Sequence, residues 1–271
     1  MAQPFRMHLK MVIRFSFLSE GGFSNSSAGI GAVREMLYNP ARLERRFAMF
    51  EALTLPALAA QTSHDLDVIV LTGDTLPSAA RDHLEQILSP YPWARVIALP
   101  VGGQFPAIKA ALDMVPSPPC TTHVGTMRLD DDDAIKTSLV EHTHGIAPHI
   151  AGATNGAPFV ISYQSGVFAT LGGGEIAMQD VTVRNPLGIG LTLVAPIDYP
   201  GNVFRRNHRA LAQYYPVFAD ATPRMFLRTI HRDNDSNPVD PDGFKTLGPK
   251  RARFVLKTAF GIRPDSMAAL G

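Results

Sequence analysis

Four aspartates in succession, Asp130 to Asp133 within "MRLDDDDAI", carry the densest chemistry in the chain. Side chains alternate along an extended backbone, so Asp130 and Asp132 project together while Asp131 and Asp133 diverge from them. Two carboxylates that converge on a cleft repel each other unless a cation joins them. A hard divalent ion such as Mg²⁺ or Mn²⁺ suits that role, because it binds one or two carboxylates and completes its shell with water and phosphate oxygens. The ligand this implies is phosphorylated. Asp131 is expected to face only solvent; on an arbitrary loop the whole run would be a solvated surface turn, so position decides between the two readings.

The elements around the run supply that position. "MVIRFSFL" reads as a first strand, ended by the turn-rich "SEGGFSNSSAG". A helix follows from about Pro40 to Leu58. Leu43, Phe47, Phe50 and Leu53 make its apolar stripe, while Arg42, Arg45, Arg46 and Glu51 occupy other faces. "DLDVIVLTG" is an apolar second strand of the kind buried on both sides of a parallel sheet, with the amphipathic "LPSAARDHLEQIL" behind it. "ARVIALP", "FPAIKAALDMV" and "THVGTMRL" continue as strand, helix and strand. This alternation predicts an α/β fold with a mostly parallel sheet flanked by helices. The aspartates then lie at the C-terminal end of the fourth strand, where open α/β sheets place their ligands.

Composition narrows the function classes. The 271 residues carry 25 basic and 24 acidic side chains, a net charge of +1, so no bulk field draws nucleic acid to the surface. Cys120 is the single cysteine, which excludes an intrachain disulfide and a thiolate zinc cluster and points to a reducing cytoplasm. No apolar run approaches the roughly 20 residues that span a bilayer, and "MAQPFRMHLKMVIRF" lacks the apolar core of a signal peptide. "GGFSNSSAGIG" has neither phosphate-loop spacing and reads as a loop.

The chain resembles the glycosyltransferases of the GT-A fold, and within them a bacterial rhamnosyltransferase family. The resemblance rests on "VIRFSFL", "RLERRFAMFEALTLPALAAQT", "DVIVLTGDTLP", "MRLDDDDAI" and "TIHRDNDSN" in that order, covering about residues 12 to 237. It implies a nucleotide-diphosphate sugar donor whose diphosphate is bridged by a divalent metal to Asp130 and Asp132, and a glycan or lipid-linked acceptor. It further implies His231 as a C-terminal metal ligand, contacts from Thr72 and Asp74 to the base or ribose, and an inverting outcome. Asp133 is then expected behind the metal or on a hydroxyl of the donor sugar. Arg128, two residues before Asp130 and on the same strand face, would touch phosphate or offset carboxylate repulsion. Arg14, inside an apolar strand, must pair or open onto the cleft, and we read it as facing the cleft.

On this reading residues 1–240 form one domain, with a donor half to about 135 and an acceptor half from about 136. Hairpins are expected across "PFVISYQSGVFATLGGGEIAMQDVTV" and a helix over "NVFRRNHRALAQYY". An inverting transferase needs a base on the acceptor side. Asp180, Asp198, Glu175 and His208 lie in that half, and Asp198, with Asp180 behind it, is taken as the expected base. The segment "DNDSNPVDPDG" mimics a calcium loop, but Pro238 stands where the loop needs glycine, so an EF-hand is rejected. A nucleotidyltransferase would need a G-x-G-T-R loop that "SEGGFSNSS" does not supply. A non-catalytic sugar- or cation-binding protein is the remaining alternative. The tail 241–271 carries Lys250, Arg251, Arg253 and Lys257 among apolar residues, and reads either as a helix docked on the domain or as a peripheral contact with an anionic membrane.

Overall fold

The computed structural model describes residues 4–20, 29–171, 177–231, 234 and 243–270. Glu175, most of the glycine-rich 21–31 segment and most of the acidic 233–243 segment lie outside them.

The first half alternates as expected: β1 (Met7–Arg14), β2 (Ser19–Glu20), α1 (Gly29–Leu37), α2 (Pro40–Met49), α3 (Leu55–Ala59), β3 (Asp67–Gly73), α4 (Ser78–Leu88), β4 (Ala94–Leu99), β5 (Gly102–Gly103), α5 (Gln104–Asp113) and β6 (His123–Asp130). The second half begins with β7 (Ala134–Ile135), α6 (Leu139–Ala153), β8 (Phe159–Tyr163), β9 (Ser165–Thr170), β10 (Ala177–Thr182) and β11 (Leu191–Pro196). It ends with β12 (Val217–Asp220), β13 (Phe226–Ile230), β14 (Gly243–Leu247), α7 (Pro249–Phe260) and α8 (Pro264–Ala268).

The main sheet has the order β12-β8-β11-β6-β1-β3-β4. Its pairings are parallel except the two made by β11, so one strand runs against the other six. Both faces are covered. Val68 and Val70 of β3 join a core with Leu84 of α4 and Ala147 of α6, while Ile69 and Leu71 join another with Ile108 and Leu112 of α5. That two-sided burial explains why the strand is apolar without alternation.

A second sheet, β14-β10-β9-β13-β7, packs on residues from the other end of the chain. The polypeptide leaves the main sheet after β8 and enters the second at β9, so the expected run of hairpins reduces to β9–β10. Residues 243–270 contribute to this layer. β14 pairs with β10, and Ala252, Val255, Leu256 and Phe260 of α7 are buried against Met178, Leu227 and Leu247. The apolar stripe of α7 is therefore spent on the core, leaving Lys250, Arg251, Phe254 and Lys257 outward.

Two local departures from simple helices matter for the site. The helix expected over 40–58 is helical from Pro40 to Ala59 but widens into a π turn at Phe50–Thr54, where the Leu55 N–H donates to the Phe50 carbonyl. Pro56, having no N–H and clashing with a regular turn, accounts for the widening. The helix expected over 202–215 shrinks to a 3₁₀ segment, His208–Gln213. Asn202 and Asn207 accept from the N–H groups of Phe204 and Arg209, and such local bonds compete with a helix.

Candidate functional site

β1 and β6 are parallel neighbours whose last residues, Arg14 and Asp130, are register partners. Both side chains therefore emerge at the C-terminal edge of the sheet. Arg14 Nη2 donates to Asp130 Oδ1 at 3.0 Å, and Arg128 Nη2 approaches Asp130 Oδ2 at 3.4 Å. Arg128 also lies 5.6 Å over the Phe204 ring. A Cβ on Gly188 would meet Arg128 Nε at 2.7 Å, so glycine leaves the guanidinium its room. Burial pushes the Asp130 carboxyl up, but Arg128 and Arg14 outweigh it and hold the group well below the usual carboxylate range.

After Asp130 the strand ends, and the Asp133 N–H turns back to the Asp130 carbonyl at 3.3 Å. Strand alternation thus stops where the aspartate run continues. Asp131, expected to face water, is 2% exposed and is clasped by Arg46, whose Nε donates to Asp131 Oδ2 at 3.1 Å. The turn redirects the side chain onto α2.

Asp132 is the meeting point of the two halves. Its Oδ2 receives Arg46 Nη1 at 2.9 Å and lies 2.8 Å from His231 Nε2, 99 residues along the chain. The backbone N–H of His231 donates to Asn234 Oδ1 at 2.7 Å. Burial raises the Asp132 carboxyl, yet Arg46 and the His231 bond leave it below its ordinary value.

Asp133 differs. Its Oδ1 accepts from the Thr229 N–H at 3.0 Å, and its carbonyl accepts from Thr54 Oγ1, at the π turn, at 2.8 Å. Burial, then the charges of Asp132 and Asp130, push this carboxyl well above the usual range.

Asp130 to Asp133, Arg14, Arg46 and Arg128 line a cleft of about 580 Å³, which also includes Arg42, Phe204, His208 and Arg228. Other sequence candidates lie elsewhere. Thr72 is fully buried and Asp74 is exposed on the loop after β3; neither lines the cleft. Asp180 sits on the second sheet, held by Arg224 through bonds of 2.7 and 2.6 Å, and lines a separate pocket. Asp198 follows β11, whose Pro196 pairs with His123 at the start of β6 while Leu191 pairs with Arg128 near its end. The antiparallel register therefore carries Asp198 to the opposite edge of the sheet from Asp130, which corrects its expected place as a base. His208 does line the cleft. Burial, followed by Arg128 and Arg209, lowers its pKa to about 4, so the imidazole is neutral.

Sequence reading missed Arg46, although the signal was present. It lies three residues after Leu43 and beside Phe47, on the buried stripe rather than an outer face. A cation on an apolar stripe demands a buried partner. The cleft wall at Arg205, Arg206 and Arg209 was also missed: their spacing would gather them on one face even of a regular helix, but nothing in the sequence turns that face toward the Asp130 end of the sheet.

A hard divalent ion suits part of this donor set. Adjacent ligands on an octahedral ion with bonds of about 2.1 Å stand about 3 Å apart, close to the 2.8 Å between Asp132 Oδ2 and His231 Nε2. Asp130 remains partly exposed to the cleft beside them. Among the described residues no three histidine, cysteine, aspartate or glutamate side chains converge as a full ligand set. Substrate oxygens and water would have to complete the shell, as is usual for Mg²⁺.

The family described as "Putative rhamnosyl transferase" matches residues 9–243. Comparison with curated proteins finds no match. Among solved structures, residues 1–349 of S. aureus TarS in complex with UDP-GlcNAc align with a TM-score of 0.45 and 10% identity, covering 87% of this chain and 62% of that one. The same TarS segment in complex with UDP aligns with a TM-score of 0.40 and 10% identity, covering 83% and 61%. The chain thus spans about three fifths of the length of those TarS segments. No helix among the described residues is long and apolar enough to cross a membrane.

Proposed function

The chain belongs to this rhamnosyl transferase family, and from that premise we propose that it moves a sugar, rhamnose by the family's description, from a nucleotide-diphosphate donor to an acceptor hydroxyl. The observation that carries the reading is the contact of Asp132 with His231 past the carboxyl end of β6, next to Asp130 in a cleft lined by arginines. A GT-A arrangement of the donor site agrees with that placement.

Asp130, Asp132 and His231 would hold Mn²⁺ or Mg²⁺ there. When bound, such an ion supplies Lewis-acid stabilisation of the charge left on the departing diphosphate. The remaining work falls to the chain's own side chains. Arg14 and Arg128 hold Asp130 ionised and present guanidinium edges to the phosphates. Arg46 fixes Asp131 and Asp132 from below. His208 takes the acceptor's proton. The charges of Arg128 and Arg209 depress its basicity, and anionic substrate groups that neutralise those guanidiniums restore it. Attack from the side facing His208 and opposite the leaving group inverts the anomeric centre.

We place this chemistry in the cytoplasm, in keeping with the single cysteine. A lipid-linked acceptor would bring the protein to the inner membrane surface, where the outward face of α7 offers Lys250, Arg251, Lys257 and Phe254. Incubation with a panel of nucleotide sugars, with and without Mn²⁺, tests the reading. Hydrolysis of one donor that depends on the ion supports it; a protein that binds Mn²⁺ or sugar yet cleaves no member of the panel is a binding protein instead.

A further inference from the structure

The cleft holds more positive charge than its aspartates use. Arg14, Arg46 and Arg128 each face a carboxylate of the Asp130–Asp132 turn. Arg205, Arg206 and Arg209 do not. They stand within five residues, Arg205 and Arg206 between β11 and the 3₁₀ segment and Arg209 in its first turn, all exposed to the cleft, and make no ion pair among the described residues. Arg206 is held in place, its guanidinium 4.2 Å over the ring of Tyr214. The Asn207 side chain accepts from the Arg209 N–H at 3.0 Å and fixes the backbone between them.

Three exposed guanidiniums on one turn repel each other through solvent, and an anion seated among them turns that repulsion into attraction. The donor's diphosphate does not fill the role. On the transferase reading it lies at the ends of β1 and β6, with Arg14, Arg128 and the ion; the 204–209 wall belongs to the chain segment after β11. Arginine presents a planar fork that matches the oxygens of a phosphate, and a ring-stacked arginine loses less freedom on binding.

We propose that Arg205, Arg206 and Arg209 form a subsite for a phosphate group on the acceptor, so that the enzyme glycosylates a phosphorylated sugar rather than a neutral glycan. The word acceptor rests on the transferase reading; the anion subsite rests on the wall itself. His208 then lies beside the acceptor that this phosphate anchors, on the side of Arg209.

The test uses the full chain saturated with UDP and Mg²⁺, into which glucose 6-phosphate, glucuronate and glucose are titrated separately and followed by ligand NMR. Glucose 6-phosphate should bind at least about tenfold tighter than glucose, as expected for hydrogen bonds to a charged group. The triple substitution Arg205→Gln, Arg206→Gln, Arg209→Gln should remove that advantage while UDP affinity changes less than about twofold, and the triple lysine variant should retain part of it. Equal binding of the three ligands overturns the proposal, and glucuronate matching glucose 6-phosphate overturns the assignment to phosphate. A glutamine variant that loses UDP and glucose 6-phosphate alike returns the arginines to the donor. Should the wild type bind no UDP, dTDP and GDP take its place; if it binds none of the three, the donor reading fails, and the same titrations without nucleotide still decide the subsite.

Discussion

Arg14 and Asp130 close the ends of two adjacent parallel strands as register partners, with Arg14 Nη2 3.0 Å from Asp130 Oδ1. Because the pair sits at the carboxyl edge of the sheet and Asp130 is shared with Arg128, it sets both the position and the ionisation of the first acidic residue of the cleft. Asp130→Asn should abolish sugar transfer and leave the fold intact, as should Asp132→Asn. Circular dichroism with donor hydrolysis in Mn²⁺ checks both; full activity in the two single variants would end the metal-bridge reading.

Arg46 is 7% exposed and joins Asp131 to Asp132. Arg46→Met strands two buried carboxylates, and removing one partner of a buried pair costs about 3–5 kcal/mol. A urea titration of the wild type and variant gives the difference. A loss below about 1 kcal/mol, the range of an exposed pair, would show that the cluster is solvated.

If His231 holds the ion, His231→Ala should raise the Mn²⁺ concentration needed for half-maximal activity by about 10–100-fold, since one coordinating nitrogen would be lost while the carboxylates stay. Stripping the metal with a chelator should silence both proteins, with recovery at higher Mn²⁺ in the variant. A lowered melting temperature with an unshifted Mn²⁺ curve would assign His231 to holding Asp132 alone.

His208 gives the acid side of the stability profile a definite sign. Its folded pKa of about 4 lies below the ordinary 6.5, so the unfolded chain binds a proton first as pH falls. Its contribution to stability is complete above pH 6.5 and is lost progressively toward pH 4. His208→Gln should therefore lose less stability than the wild type between pH 7 and pH 5, measured as urea midpoints. Asp133, whose raised carboxyl acts in the opposite sense, is common to both proteins and cancels in the comparison. Parallel profiles would place the histidine in solvent. Transfer should fall by about 10²–10⁴-fold in the same variant if His208 is the proton acceptor.

The alternating apolar strands and amphipathic helices were legible because burial on two faces of a parallel sheet leaves a periodic mark on a single chain. β1, β3, β4 and β6 and their helices follow from that mark, and with them the position of Asp130 at a carboxyl edge. The sequence also marked His231, through its place in a recognisable block, and the structure brings it to Asp132. What the chain could not show by itself were relations set by register and by the ends of elements. Asp131 turns inward because β6 stops one residue earlier, and alternation has no authority beyond a strand's end. Asp198 lands on the far edge because β11 runs antiparallel to β6, a direction its own residues do not encode. Arg46 is buried because its partners arrive from a turn 85 residues away. Local pattern records how each segment meets water and core; only the packed sheet decides which segment ends meet one another.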